Sequence, residues 1–265
     1  MSEELADPAH GLYQSGISAG AHDEAMDYLN SVKRNISGVE VTCEAHEGNA
    51  VDLIVAEAEK SSDSLVAMSS HGRSGVTRML MGSVTDNVLH HTKNPMLIYR
   101  SHQEGEAEPD TNLETIIVPL DGSSLAESVL PHVVALANAL NLKVTLVRAA
   151  AEQFSSVIGF QHMDGVSGIH YQNFEAMTKV AGTQALDYIK AQEDALRSQG
   201  VASVDHRMIP GSAADVIVQA ALTTPDNLVA MTTHGRSGPA RWTLDSVTDR
   251  VVRNSGDPVL VIRTG

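Results

Sequence analysis

Short, nearly continuous apolar runs alternate along the chain with longer stretches whose apolar residues recur every three or four positions. In the C-terminal half, TIIVPL (115–120), KVTLVRAA (143–150), VDHRMI (204–209), LVAMTT (228–233) and PVLVIR (258–263) read as strands one to five. Runs of that length, bounded by turn-forming residues, suit strands buried on both faces. Residues 124–140, about 179–198, 212–222 and 242–253 carry helical spacing. Ser123 or Ser124 can cap the first of these helices, and Gly200 ends the second. Residues 151–175 show neither period. Alternating strands and helices with two-sided burial predict an α/β fold, a parallel sheet with helices on both faces. In such sheets ligands gather at the carboxyl ends of the strands, where the strand order reverses. That edge would carry VPLDGSS after the first strand and MTTHGRSG after the fourth.

The N-terminal half repeats part of this pattern. HGRSGVTRMLMGSVTDNVLHHTKNPMLIYR (71–100) aligns without a gap to HGRSGPARWTLDSVTDRVVRNSGDPVLVIR (234–263), with about 14 of 30 positions identical. Upstream, LVAMSS (65–70) meets LVAMTT (228–233), and EGNAVDLIVAEA (47–58) meets PGSAADVIVQAA (210–221). AMDYL (25–29) meets ALDYI (185–189) after a three-residue shift. The polar, acidic SHQEGEAEPDTN (101–112) reads as a linker. The organisation is therefore a first module over 1–100, a linker over 101–112 and a second, complete module over 113–265. The first module has no counterpart of residues 115 to about 155, so it lacks strand 1, helix 1 and strand 2.

Composition narrows the partners. Eighteen Lys and Arg against 33 Asp and Glu give a net charge of −15, which argues against nucleic acid or an anionic membrane. It leaves room for a small phosphate ligand held by backbone N–H groups. A single cysteine, Cys43, rules out an intrachain disulfide and a Cys-based zinc site. The acidic N-terminus has no apolar segment of a signal peptide, and no run of 18 apolar residues occurs. A cytoplasmic location is the expectation. Aromatics are 3%, so the core must be built from aliphatic side chains and Met.

Four features carry candidate chemistry. HGRSG follows a strand and precedes a helix, where glycines admit close backbone approach and free N–H groups attract an anion; a plain tight turn explains it equally well. Gly82-Ser83 can add donors to the same phosphate, or Ser83 can simply cap a helix. Asp121, ending strand one, can accept from a ribose hydroxyl or an amine, or bind its own turn. His71 and His234 have no neighbouring ligand or carboxylate partner in their motifs, and a positioned turn residue accounts for them. The sequence contains neither a Walker-type phosphate loop nor a Gly-x-Ser-x-Gly elbow.

In their order, IIVPLDGS, LVAMTTHGRSG, DSVTDRVV and PVLVIR, with LVAMSSHGRSG, GSVTDNVL and PMLIYR in the first copy, resemble the universal stress protein (UspA-like) family. The resemblance covers the whole second module and about the last two-thirds of a first. It implies a five-stranded parallel sheet of order 3-2-1-4-5 and, in ATP-binding members, a motif Gly-x-x-Gly, nine residues, then Gly followed by Ser or Thr. In the second module Asp121 then matches the nucleoside contact, Ala149 the backbone that meets adenine, and Gly235 and Ser246 the phosphate loop. In the first, Gly72, Gly82 and Ser83 match. The first motif glycine is Ser69 in one copy and Thr232 in the other, and the third glycine of the second copy is Asp245. A carboxylate about 4 Å from a phosphate charge is repelled by roughly 4 kcal/mol at an effective dielectric near 20, before screening. That makes ATP binding weak or absent in the second module unless Mg²⁺ bridges the two.

The resemblance implies a nucleotide-binding stress-response regulator, taking ATP or AMP, without fast catalysis. The alternatives are a member without nucleotide that acts through dimerisation and protein partners, and a slow ATPase, for which no general base can be named. The apolar fifth strands are expected to pair with each other within the chain and to support a homo-oligomer. VEVTCEA (39–45) is the first module's third strand, and in the family order the two missing strands lie between it and the fourth. It should therefore be detached, or paired by another chain. A native start about 40 residues before Met1 is the matching expectation.

Overall fold

The computed structural model describes residues 8–69, 81–99, 112–150, 169–234 and 247–264. They form two units, divided after Leu53. Of the expected elements, HGRSG at 71–75, its counterpart after His234 at 235–238, and linker residues 101–111 lie outside the described residues.

In the first unit, helix α1 spans Pro8–Lys33. Helix α2, Ala50–Ala58, starts in this unit, with the Asn49 side chain accepting from the N–H groups of Val51 (2.9 Å) and Asp52 (3.3 Å). Residues 39–45 form no strand, and Val39 is 68% exposed. The cause is a missing neighbour. The corresponding strand of the second module pairs with a strand at residues 143–149, and the first module has no counterpart of it.

The second unit is built on a seven-stranded sheet. Its strands are β1 (Val66–Ser69), β2 (Met96–Tyr99), β3 (Thr115–Pro119), β4 (Lys143–Ala149), β5 (Val204–Ile209), β6 (Asn227–His234) and β7 (Val259–Thr264). The order is β1-β2-β7-β6-β3-β4-β5. Within the second module this is 3-2-1-4-5, all parallel, as expected.

The helices are α3 (Ser83–His91), α4 (Ser124–Glu127), α5 (Leu130–Leu140), α6 (Ile169–Ser198), α7 (Ala213–Leu222) and α8 (Val247–Asn254). Ile116, Val118, Val144 and Leu146 point to one side of the sheet and pack with Val129 just before α5, Val133 and Ala137 of α5, and Ile189 and Leu196 of α6. Ile117, Thr145 and Val229 are in register on the other side and are fully buried. There the buried Val216, Ile217, Ala220 and Ala221 of α7 supply the apolar cover. Thus the central strands β3, β4 and β6 are covered on both faces, which accounts for their lack of polar alternation.

Two helical expectations need correction. The helix expected over 124–140 is broken after Glu127. Pro131 has no N–H to donate to the Glu127 carbonyl, and the connection is carried by tighter bonds, Ser128 N–H to Leu125 O (3.1 Å) and His132 N–H to Val129 O (3.1 Å). Residues 169–175, expected to be irregular, are already helical as the start of α6.

The two fifth strands, β2 and β7, pair antiparallel, Met96 with Val261, Leu97 with Leu260 and Ile98 with Val259. Leu97 and Leu260 are equivalent positions of the repeat, 163 residues apart. The pairing is therefore centred on a local two-fold axis, the self-complementary arrangement a symmetric dimer would use. Arg263 reinforces it by donating from Nη1 to the carbonyls of His90 (2.5 Å) and Thr92 (3.2 Å), at the C-terminal end of α3. Both edges of β2 and of β7 are filled within the chain. A strand added by another copy would meet β1 or β5.

Candidate functional site

β3 leaves the core at Pro119 and Leu120, the latter fixed by its N–H to the Val147 carbonyl (2.9 Å). Asp121, Gly122 and Ser123 then make the turn into α4. Ser123 is the cap: its Oγ accepts from the Ala126 N–H (3.1 Å) and donates to Asp121 Oδ1 (2.6 Å). The Ser123 N–H donates to the same carboxylate oxygen (2.8 Å). The turn reading of Asp121 is thus real, but it occupies one oxygen. Oδ2 has no hydrogen bond among the described residues.

A cavity of about 340 Å³ opens beside this turn, at the carboxyl ends of β3, β4 and β6. It lies where the strand order reverses, since α5 carries the chain from β3 to β4 and α7 carries it back from β5 to β6 on the other face. Asp121, Ala149 and Thr232, named above from the sequence, all line it. Thr233 and Thr248, both buried, add hydroxyls.

Arg148 also lines the cavity and was not singled out from the sequence. Its guanidinium carbon sits 5.1 Å from the centre of the Tyr188 ring, a cation–π contact. Burial pushes the Tyr188 phenol well up from its usual value, and the neighbouring Glu127 carboxylate adds to this. Glu127 in turn accepts from Gln192 Nε2 (3.2 Å). Gly122 has φ +92°, and a Cβ there would come within 3.2 Å of Arg148 Nη1. The glycine both permits the turn and clears space for the arginine.

Gly235, Asp245 and Ser246 lie outside the described residues, as does Gly72 of the first module. Gly82 and Ser83 are described, at the start of α3. Gly82, not Ser83, is the cap residue, and no side chain caps the helix. Asp86 N–H bonds the Gly82 carbonyl (2.9 Å), while Thr85 Oγ1 donates to the Ser69 carbonyl (2.8 Å) and ties the helix to β1. Ser83 is thus already inside the first turn.

The sequence profile of the Universal stress protein family matches residues 3–100 and again residues 112–263. The chain belongs to the universal stress protein family. A universal stress protein of Methanocaldococcus jannaschii is 33% identical over 95 residues, 35% of this chain and 55% of that protein. One of Mycobacterium bovis is 25% identical over 199 residues, 75% of this chain and 61% of that protein. The chain therefore spans between half and two-thirds of the length of these relatives. The crystal structure of a universal stress protein from Archaeoglobus fulgidus superposes with a TM-score of 0.66 at 19% identity, over 99% of this chain and 84% of that one. This is a likeness of fold. In this tandem universal stress protein, the cavity belongs to the second module. No helix among the described residues is long and apolar enough to cross a membrane.

Proposed function

We propose that this chain is a nucleotide-binding stress-response regulator whose second module takes AMP or ATP without fast turnover. The observation that carries the reading is the cavity at the strand-order reversal with the uncommitted Asp121 oxygen at its edge. A volume of about 340 Å³ falls at the small end of the range for ligand pockets, roughly 300–1,000 Å³. A carboxylate oxygen with a free lone pair is the acceptor that a ribose diol needs. The end of β4 at Ala149 offers a wall for the base. Thr232 lines the cavity from the end of β6. Asp121 is the sole acidic side chain among the described lining residues.

The second reading is a member that holds no nucleotide and works through protein partners. Asp245, at the place of a phosphate-loop glycine, is the observation that favours it. Titration calorimetry with AMP and ATP separates the two. Asp121→Asn should weaken nucleotide binding by about tenfold or more, the cost of losing a charge-assisted hydrogen bond. Absence of heat with both nucleotides on the unmodified chain would favour the partner reading.

A further inference from the structure

We infer that Arg148 is a ligand-binding residue of this cavity, and that it receives the phosphate of a nucleoside monophosphate while Asp121 holds the ribose. The inference rests on the nucleotide reading above and adds to it the residue that supplies the positive charge.

Three observations point to it. First, the guanidinium lines the cavity, yet it makes no hydrogen bond and no ion pair among the described residues. An arginine carries five N–H donors in a planar fork, and such a group is costly to leave unspent where water is partly excluded. Second, the group is held in place without using those donors. The Tyr188 ring lies under it at 5.1 Å, and Gly122 leaves open the space beside Nη1 that any larger residue would fill. A guanidinium positioned by a ring face keeps its in-plane donors available, and this fork matches two phosphate oxygens. Third, the carboxylate that lines the cavity does not quench it. Asp121 lines the same cavity, but no ion pair joins it to Arg148. Its Oδ1 is taken by Ser123 instead. A cation and an anion on one rim, each with unspent capacity, suit a ligand that offers a hydroxyl donor and an anionic acceptor a few ångströms apart. A ribose monophosphate has both.

The remaining lining accords with low ligand charge. Leu120, Leu125, Ala126, Ile217 and Met231 are apolar, and no lysine appears among the described lining residues. One arginine balances one phosphate better than three.

The experiment is titration calorimetry of the full chain with adenosine, 5′-AMP, 3′-AMP and ATP. It is run on the unmodified protein, on Arg148→Gln and on Arg148→Lys, with thermal unfolding as the check of the fold. The unmodified chain should prefer at least one monophosphate over adenosine by about tenfold or more, the magnitude of a charge-assisted pair. Whether 5′-AMP or 3′-AMP shows the preference identifies the ribose edge that faces Arg148. Arg148→Gln should abolish that preference and leave adenosine binding within about threefold, while Arg148→Lys should restore part of it. A preference unchanged in Arg148→Gln, or adenosine and monophosphate weakened alike, would overturn the inference and leave the nucleotide reading intact. No binding of any of the four by the unmodified chain would overturn both.

Discussion

Gly122 joins the backbone of the site to its arginine, and Gly122→Ala separates two costs. The backbone cost comes from φ +92°, which an L side chain rarely adopts; placing alanine there costs about 1–2 kcal/mol. The second cost is contact: the new Cβ would stand 3.2 Å from Nη1 and 3.5 Å from Nη2 of Arg148. Those atoms end a flexible side chain, so the guanidinium shifts by a few tenths of an ångström rather than straining the sheet. Gly256→Ala is the matched control, since Gly256 has φ +80° and nothing within 4 Å of its Cβ position. Both variants should lose similar stability, about 1–2 kcal/mol each, or roughly 2–8 °C in melting temperature for a unit of this size. Urea unfolding followed by circular dichroism measures the loss. Only Gly122→Ala should also weaken binding of a monophosphate, because only it shifts the Arg148 guanidinium from its place beside the turn. Loss of binding in Gly256→Ala to the same degree, or an unchanged stability in Gly122→Ala, would refute the reasoning.

Two further outcomes follow from the packing. Arg263→Ala removes two hydrogen bonds from β7 to the end of α3, and should destabilise the chain by about 1–3 kcal/mol in urea unfolding; native-like stability would mean that the β2–β7 ladder alone holds the modules together. Asp257 has its carboxyl pushed up by burial, partly opposed by Asn227, with Asp226 adding to the rise. A raised folded pKa means that ionisation costs stability, in full above the folded pKa, and that the cost fades as pH falls from there toward the unfolded value near 3.9, below which it is gone. Asp257→Asn should therefore raise the melting temperature at pH 7, with the gain shrinking toward pH 4; a gain that does not depend on pH would contradict this.

Much of the second module was legible because its strands announce themselves. TIIVPL and PVLVIR are too short and too evenly apolar for anything but a doubly covered strand, and the Gly and Ser residues after them mark the turns. The repeat made the β2–β7 pairing readable, since equivalent apolar strands invite a two-fold arrangement. Asp121, Ala149 and Thr232 come to one cavity because each stands at the carboxyl end of a parallel strand. The break before α5 was missed because the apolar spacing runs straight through Ser128 and Val129, while Pro131 acts through a single absent N–H. Arg148 was missed for a different reason. In the sequence it is one polar residue at the end of a strand, and its partner Tyr188 is forty positions away. What makes it notable is the ring beneath it and the missing Cβ of Gly122, and neither is visible in one dimension. VEVTCEA has strand composition but no neighbour to pair with, so its local preference is not expressed.

The most direct test of the account is the number of nucleotides bound per chain. Equilibrium titration of the full chain with 5′-AMP and ATP, read as stoichiometry, should give one site. That site should be weakened by Asp121→Asn and unaffected by Ser83→Ala, because the cavity with its carboxylate belongs to the second module. Two equivalent sites per chain, or one site sensitive to Ser83→Ala and indifferent to Asp121→Asn, would contradict it.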